Sequence, residues 1–136
     1  MGGANVLVVE GRKTRMGLDN DLLSSAKKIG RIICPEENAW NAYTEILSSI
    51  EKQGNNYDII LCSLGPTATV LAFDLAKKGF WAIDIGHLDV EYEWFCRKCQ
   101  KKEPIRYRYV NEAGCYDPEE VNRDNVYYDQ IVCEIM

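Results

Sequence analysis

Residues 58–95, DIILCSLGPTATVLAFDLAKKGFWAIDIGHLDVEYEWF, decide the fold of this chain. Residues 57–62, YDIILC, predict a buried strand through the apolar run at 59–62. A helix opens at Pro66 or the next residue and ends near Gly79, a typical helix-stop residue. Residues 80–85 then predict a second strand. This succession of strand, helix and strand is the repeating unit of a parallel sheet.

The flanking segments add elements of the same kind. Short β-branched runs predict strands, and apolar residues at three- and four-residue spacing predict helices. Further strands are predicted at 5–10, 29–34, 105–110 and within the last ten residues. Helices are predicted at 22–26, with Asn20 or Asp21 as the cap, at 36–53 and at 88–99.

Strands that alternate with helices predict right-handed crossovers and therefore an α/β fold. We expect an open, mostly parallel, Rossmann-like sheet with helices on both faces. A length of 136 residues fits a single domain that spans 1–136.

The composition argues against several classes of protein. The net charge is −5, without a block of like charges, which disfavours a nucleic-acid partner. No apolar run approaches the ~20 residues of a membrane helix, and the amino terminus lacks a secretory signal, so we expect a cytoplasmic chain. Cys96 and Cys99 form a C-x-x-C pair without the second ligand pair of a structural zinc site, which predicts reduced thiols.

Polar residues follow three of the predicted strands, at 10–15, 63–69 and 86–93. In an open parallel sheet, ligands bind at the carboxyl ends of the strands. These three segments are therefore predicted to meet at one edge of the sheet and to form a binding site there.

The segment SLGPTAT, residues 63–69, lies between a strand and a helix N-terminus. Free backbone N–H groups and the helix dipole favour an anion at that end. Gly65 allows a close approach of the backbone, and Thr67 adds a hydroxyl. The segment matches neither a P-loop nor a G-x-G-x-x-G loop, so a well-capped helix start with Pro66 in its first turn is the alternative.

Asp89 and Glu91 form a D-x-E triplet. In an extended or turning backbone, the two carboxylates can point the same way and hold Mg²⁺ or Mn²⁺. The alternative is the acidic first turn of a helix, where carboxylates are favoured in any case. His87, the only histidine, is a candidate for acid–base chemistry, although a lone histidine also serves as a structural hydrogen-bonding group.

The loop EGRKTRMGLDND, residues 10–21, offers a third set of candidates. Arg12 and Arg15 suit bidentate contacts with phosphate, and Glu10 could accept sugar hydroxyls or act as a base. The alternative is an exposed charged loop that leads into a helix cap.

Longer stretches of the chain resemble the bacterial glycosyltransferases of the GT-D fold class. The resemblance extends from about Val6 to Phe95. It is carried by VEGRKTRMGLDNDL (9–22), IGRIICPEENAW (29–40) and LGPTATVLAFDLAKKGFWAIDIGHLDVEYEWF (64–95).

The resemblance implies transfer of a hexose, with glucose expected, from a UDP-sugar to a bacterial glycan or glycoprotein acceptor. It implies that Asp89 and Glu91 are the D-x-E carboxylates that hold a divalent metal, Mn²⁺ or Mg²⁺. Together with the loop patterns, it makes Glu10, Asp89 and His87 the catalytic candidates and Gly65, Pro66, Thr67, Arg12 and Arg15 the candidates for donor binding.

The chain resembles only the carboxyl-terminal half of such an enzyme, so an amino-terminal half is expected elsewhere. A second hypothesis follows, in which the chain is a non-catalytic α/β module that binds a nucleotide or a partner and needs that separate half for activity. A homo-oligomer is left open by the sequence.

Overall fold

The computed structural model describes residues 3–18, 20–86, 88–98, 107–108, 113, 118–121 and 125–135. The strands are β1 (Asn5–Gly11), β2 (Lys28–Cys34), β3 (Ile59–Ser63), β4 (Ala82–Asp84) and β5 (Ile131–Glu134). The α-helices are α1 (Tyr43–Gln53), α2 (Pro66–Lys77), α3 (Leu88–Cys96) and α4 (Val126–Asp129), and 3₁₀ turns cover Ala39–Ala42 and Gly54–Asn56.

The described strands form one sheet in the order β4-β3-β1-β2-β5, with every pairing parallel. β1 lies at the centre, where Val8 pairs with Arg31 of β2 on one side and with Leu61 of β3 on the other. The predicted α/β class with an open parallel sheet is confirmed.

The strand order determines which face of the sheet each connection covers. The chain moves in one direction across the sheet from β2 to β3 and from β3 to β4, and it moves in the opposite direction from β1 to β2 and from β4 to β5. Because crossovers between parallel strands are right-handed, the two sets of connections lie on opposite faces. α1 and α2 therefore share one face, which we call the helical face, and the 12–27 connection covers the other, which we call the loop face.

The buried side chains agree with this assignment. On the helical face, Leu7 and Ile60 of the sheet pack with Ile46 of α1 and Leu71 of α2 in one cluster. On the loop face, the odd-even alternation of the strands presents a different set of side chains. These are Val6, Val8, Ile59 and Leu61, which pack with Met16 and Leu23 from the 12–27 connection.

Two segments differ from their predicted structure. The predicted helix at 22–26 is wrong, because the Asn20 side chain accepts the Leu22 N–H at 3.0 Å and stabilises a series of turns instead. Near the carboxyl end, the helical turn α4 precedes β5, since Asn125 Oδ1 accepts the Tyr127 N–H at 2.9 Å and caps it. The strand predicted at 105–110 lies largely outside the described residues. Within the described ranges, none of the helices has the length and apolar character required to cross a bilayer.

Candidate functional site

A cavity of about 410 Å³ lies at the carboxyl ends of β1, β2, β3 and β4. Its wall includes Gly11 from β1, Glu36 after β2, Gly65 after β3, and Gly86 and Asp89 after β4. At this edge, the connection that follows β1 covers the loop face, and the connection that follows the neighbouring strand β3 covers the helical face. The position between β1 and β3 is therefore a topological switch point, where open α/β sheets bind their ligands. The predicted convergence of three polar loops at one edge is confirmed.

The start of α2 forms one wall of the cavity. Gly65 has φ 58° and ψ −142°, close to a region of backbone space that is almost restricted to glycine. No side chain caps the helix, Pro66 lies in its first turn, and the buried Thr67 also lines the cavity. An uncapped helix N-terminus presents N–H groups and a positive dipole end. The structure thus brings all three predicted donor-binding residues of this segment to the cavity.

Replacing Gly65 by alanine is expected to lower the free energy of unfolding by about 1–3 kcal/mol. A Cβ at this position meets no atom within 4 Å, so the cost arises from the backbone conformation and not from a clash. Urea unfolding would measure the change, with Pro66→Ala as the neighbouring control, whose φ any residue can adopt. Equal stability of Gly65→Ala and the unchanged protein would contradict the expected strain.

Asp89 lies in the cavity wall and also joins three separate segments. Its Oδ1 accepts the Gly17 N–H at 2.8 Å and the Asn20 side-chain N–H at 3.0 Å. Its Oδ2 accepts from Nε of Arg108, and the Asp89 and Arg108 side chains are 4 % and 1 % exposed. The described residues thus supply three hydrogen-bond donors to a carboxylate that offers about four acceptor positions.

Glu91 does not share the position of Asp89. Both residues belong to α3, and two positions along an α-helix correspond to a rotation of about 200°. Asp89 is buried and Glu91 is exposed. Of the two interpretations of the D-x-E triplet, the structure contains the helical one, in agreement with the helical segment predicted at 88–99. His87 lies outside the described residues, so its catalytic role stays a prediction.

Glu10 is completely buried on the loop face, and it does not line the cavity. Its Oε1 accepts the Met16 N–H at 2.7 Å. Its Oε2 accepts from Arg31 Nη1 at 2.8 Å and from the Tyr127 hydroxyl at 3.1 Å. Burial raises the pKa of Tyr127, and the Glu10 carboxylate adds to this effect, so the phenol remains a donor. A general base must reach the proton that it removes. The position of Glu10 favours a structural role over the predicted catalytic one.

The structure also directs Arg12 and Arg15 away from the cavity. Arg15 is buried and donates to the carbonyl of Glu119 at 2.8 Å and to the carboxylate of Glu120 at 3.0 Å. Arg12 forms a half-exposed salt bridge with Glu134 at 3.4 Å. Both arginines line a separate, small cavity of about 80 Å³ between the β1 and β5 ends. The predicted phosphate contacts of these arginines do not agree with this arrangement.

The charge of the main cavity comes from acidic groups. Glu36 and Asp89 line it, whereas none of its described lining residues is a lysine or an arginine. Lys13 lies outside this lining and forms a salt bridge with Glu36 at 3.3 Å. A polyphosphate in this cavity would therefore need a cation from solution to balance its charge.

Of the two carboxylates predicted to hold a divalent cation, only Asp89 lines the cavity. Mg²⁺ in nucleotide sites is commonly held by one or two carboxylates together with substrate phosphates and water, and a single carboxylate such as Asp89 is compatible with this mode. Glu91 lies on another side of α3. Across the described part of the chain, no three His, Cys, Asp or Glu side chains come together as a ready-made metal cage.

Three residues of the site were not predicted from the sequence as contributors. Arg108 lies in the alternating run 105–110, which predicts a half-exposed strand, and no local pattern links it with Asp89. Glu36 and Trp40 follow β2 in a segment that was interpreted only as the start of a helix. The position of that segment directly after a strand, at the same sheet edge, is the signal that could have identified it.

The described cysteines behave as expected for reduced thiols. Cys34, Cys62, Cys96 and Cys133 are free, and Cys99 lies outside the described residues. Burial raises the pKa of Cys62 to about 12, with a smaller contribution from nearby Asp84, so this thiol is inert at neutral pH.

The fold and the cavity define the class of this protein: an α/β protein with a cavity at the switch point of an open parallel sheet. A family model described as "Glycosyltransferase GT-D fold" matches residues 2–113. The chain belongs to this family of GT-D-fold glycosyltransferases.

The curated relatives agree with the family. The chain is 39 % identical over 131 residues to "Probable glycosyl transferase Gly" of Streptococcus gordonii. The matched region covers 96 % of this chain and 19 % of that protein. The chain is 38 % identical over 132 residues to "Glycosyltransferase GlyD" of Streptococcus pneumoniae serotype 4, covering 97 % and 16 %.

Two similar solved structures support the fold. The first, reported as "The highly conserved domain of unknown function 1792 has a distinct glycosyltransferase fold", has a TM-score of 0.89 and 40 % identity, over 98 % of this chain and 48 % of the other. The second, "A New Glycosyltransferase (DUF1792) from Streptococcus sanguinis", has a TM-score of 0.87 and 37 % identity, over 99 % and 50 %. The chain thus spans about half the length of these solved chains and under a fifth of the curated relatives.

Proposed function

We propose that this chain binds the nucleotide-sugar donor of a glycosyltransferase in the cavity at the carboxyl ends of β1 to β4. The donor proposed is a UDP-sugar, with UDP-glucose as the first candidate, and the acceptor is a bacterial glycan or glycoprotein. The observation that carries the proposal is the uncapped start of α2, which opens into an acidic cavity at the switch point.

The backbone at Gly65 and the hydroxyl of Thr67 would contact the diphosphate. Both line the cavity, and the Gly65 conformation leaves the first turn of α2 accessible. Such contacts bind phosphate without a basic side chain, which matches the composition of this wall.

The proposal includes a divalent metal, Mn²⁺ or Mg²⁺, held on the protein side by Asp89. When bound, such an ion neutralises charge on the leaving nucleoside diphosphate. The Asp89 carboxylate is oriented by the Gly17 and Asn20 N–H groups and is paired with Arg108, so a bound ion would share the carboxylate with these donors. A ligand role for Glu91 would require a different backbone conformation from the one described.

A second candidate function is a non-catalytic module that binds a nucleotide or a partner and depends on a separate half of the protein. This candidate is favoured because the chain covers only about half of each similar solved chain. Such a half, or a second copy in a homo-oligomer, would supply the acceptor side. Transfer or hydrolysis of UDP-glucose by this chain alone would eliminate the module. A cytoplasmic location stays a prediction from the sequence.

Isothermal titration with UDP-glucose tests the donor site. We expect binding in Mn²⁺ and at least about tenfold weaker binding in EDTA, because the cavity has no described cationic side chain in its lining. Thr67→Val should weaken binding by about tenfold, the size of one hydrogen bond to a charged group.

Thr69→Val is the matched control for this experiment. Thr69 lies on the same helix, but its hydroxyl is exposed, bonds to Asp84 at 2.9 Å and does not line the cavity. Its replacement should leave the affinity unchanged. If a folded protein binds no UDP-sugar with any divalent metal, the donor-site proposal is wrong.

A further inference from the structure

We propose that Trp40 is the platform on which the base of the donor nucleotide stacks. This inference rests on the proposed function, since it assigns the nucleobase to one end of the same cavity. It concerns a side chain that the sequence patterns did not distinguish from ordinary helix residues.

Trp40 is unusually exposed for a residue that lines a cavity. Its side chain is 56 % exposed, although tryptophan is usually among the most buried residues on average. Among the described lining residues of this cavity it is the only aromatic one. The other strongly exposed aromatic residues, Phe73, Trp81 and Phe95, do not line it. An open indole face inside a ligand cavity is suited to stacking with a base.

The position of Trp40 relative to the start of α2 matches the shape of a nucleoside diphosphate. Trp40 follows β2 and Gly65 follows β3, and β1 lies between these two strands. Two strand spacings amount to about 10 Å. This is a separation that a nucleoside diphosphate can cover between its base and its phosphates. A nucleoside diphosphate whose phosphates lie at Gly65 and whose base extends toward β2 would place the base beside Trp40.

The indole is also held in a defined orientation by its neighbours. Its ring centroid lies 4.7 Å from that of Tyr43, with the planes tilted by 36°. The Tyr43 hydroxyl donates to the carboxylate of Asp74 on α2. Burial, and after it the Asp74 carboxylate, raises the pKa of Tyr43 to about 12, so this donor persists at neutral pH. Trp40 is therefore connected, through Tyr43 and Asp74, with α2, the helix whose start is assigned to the phosphates. Because these contacts already restrict the indole, less side-chain entropy is lost when a base stacks on it.

Paired titrations with UDP and with inorganic pyrophosphate, both in Mn²⁺, test this assignment. Trp40→Leu should weaken UDP binding by about fivefold to a hundredfold, the range of one base–aromatic stack. It should leave pyrophosphate binding unchanged, because pyrophosphate has no base. Trp40→Phe should recover most of the UDP affinity. Trp81→Leu is the control, since Trp81 is 65 % exposed and lies outside the cavity.

Each other outcome is decisive. If the unchanged protein binds neither UDP nor UDP-glucose, the proposed function fails and the inference fails with it. If it binds UDP and Trp40→Leu binds UDP equally well, only the stacking assignment fails. Equal weakening of UDP and pyrophosphate would show that Trp40 acts through the fold. Weakening of UDP-glucose but not of UDP would place the sugar on the indole instead. Either of these last two results would overturn the inference. Thermal unfolding of each variant shows whether it remains folded.

Discussion

Replacement of Asp89 by alanine is expected to lower the free energy of unfolding by about 3–5 kcal/mol, as found when one partner of a buried ion pair is removed. The Arg108 side chain is 1 % exposed and would lose its carboxylate partner. The Gly17 and Asn20 N–H groups would lose their shared acceptor as well. Chemical denaturation followed by circular dichroism measures the change.

Glu91→Ala is the matched control for Asp89→Ala. It removes a carboxylate two positions along the same helix, but that carboxylate is exposed, so its loss should have little effect on stability. The double variant Asp89→Ala/Arg108→Met should regain part of the lost stability, because it removes the buried charge together with its partner. Equal effects of Asp89→Ala and Glu91→Ala would contradict the ion pair.

This expectation changes how a metal-binding experiment should be interpreted. Loss of UDP-glucose binding in Asp89→Ala has two explanations: loss of a metal ligand or loss of the folded state. The affinity of this variant is informative only if the variant is shown to be folded in the denaturant-free buffer of the binding experiment.

Replacement of Glu10 by alanine is expected to be similarly destabilising, by about 3–5 kcal/mol. Arg31 is 3 % exposed and donates to Glu10 at 2.8 Å, and the buried Tyr127 hydroxyl donates to the same oxygen. Glu10→Gln keeps the shape and one acceptor oxygen, so it should cost less, about 1.5–3 kcal/mol, the value of a hydrogen bond to a charged group. Thermal or urea unfolding would measure both variants.

Glu134→Ala is the control for Glu10→Ala. Glu134 pairs with Arg12 at 3.4 Å, but its side chain is 49 % exposed, and exposed pairs contribute little. A second measurement separates structure from catalysis. Because Glu10 does not line the cavity, folded Glu10→Gln should bind UDP-glucose as the unchanged protein does. A large loss of affinity with unaltered stability would instead support the donor-site role predicted from the sequence.

The sheet and its two principal helices could be predicted because their sequences carry strong periodic signals. The segment YDIILC at 57–62 contains the continuous apolar run 59–62, which belongs to β3, and the five residues of β3 are all buried. The helix that begins at Pro66 was predicted from Pro66 and Gly79, and it spans Pro66–Lys77. Such signals are local, since neighbouring residues in the chain determine them.

The directions of the polar side chains could not be predicted in the same way. Arg12 and Arg15 follow β1 directly, but the connection turns onto the loop face, where Glu134 and Glu120 are their partners. Those partners are more than a hundred positions away in the chain. Strand order, which sets the face, is a property of the whole fold, so a pattern in a short loop contains no information about it.

The partners of Asp89 illustrate the same limit. The D-x-E triplet correctly identified a carboxylate at the edge of the cavity. The helical segment predicted at 88–99 is present as α3 and separates Glu91 from Asp89, but the triplet did not indicate that Arg108 pairs with Asp89. A short motif identifies residue types, whereas the backbone conformation decides which of them act together.

The parallel sheet has a consequence for the way in which this chain folds. Parallel neighbours cannot be joined by a tight hairpin, so each pairing must close a long loop. Val8 pairs with Arg31, and Arg31 in turn pairs with Ile131, about a hundred positions later. Loop-closure entropy is lost before such contacts form, and a high contact order therefore predicts slow folding. During synthesis, β1 to β4 would emerge well before β5, and the edge of β2 that pairs with β5 would stay unpaired until β5 has been synthesised.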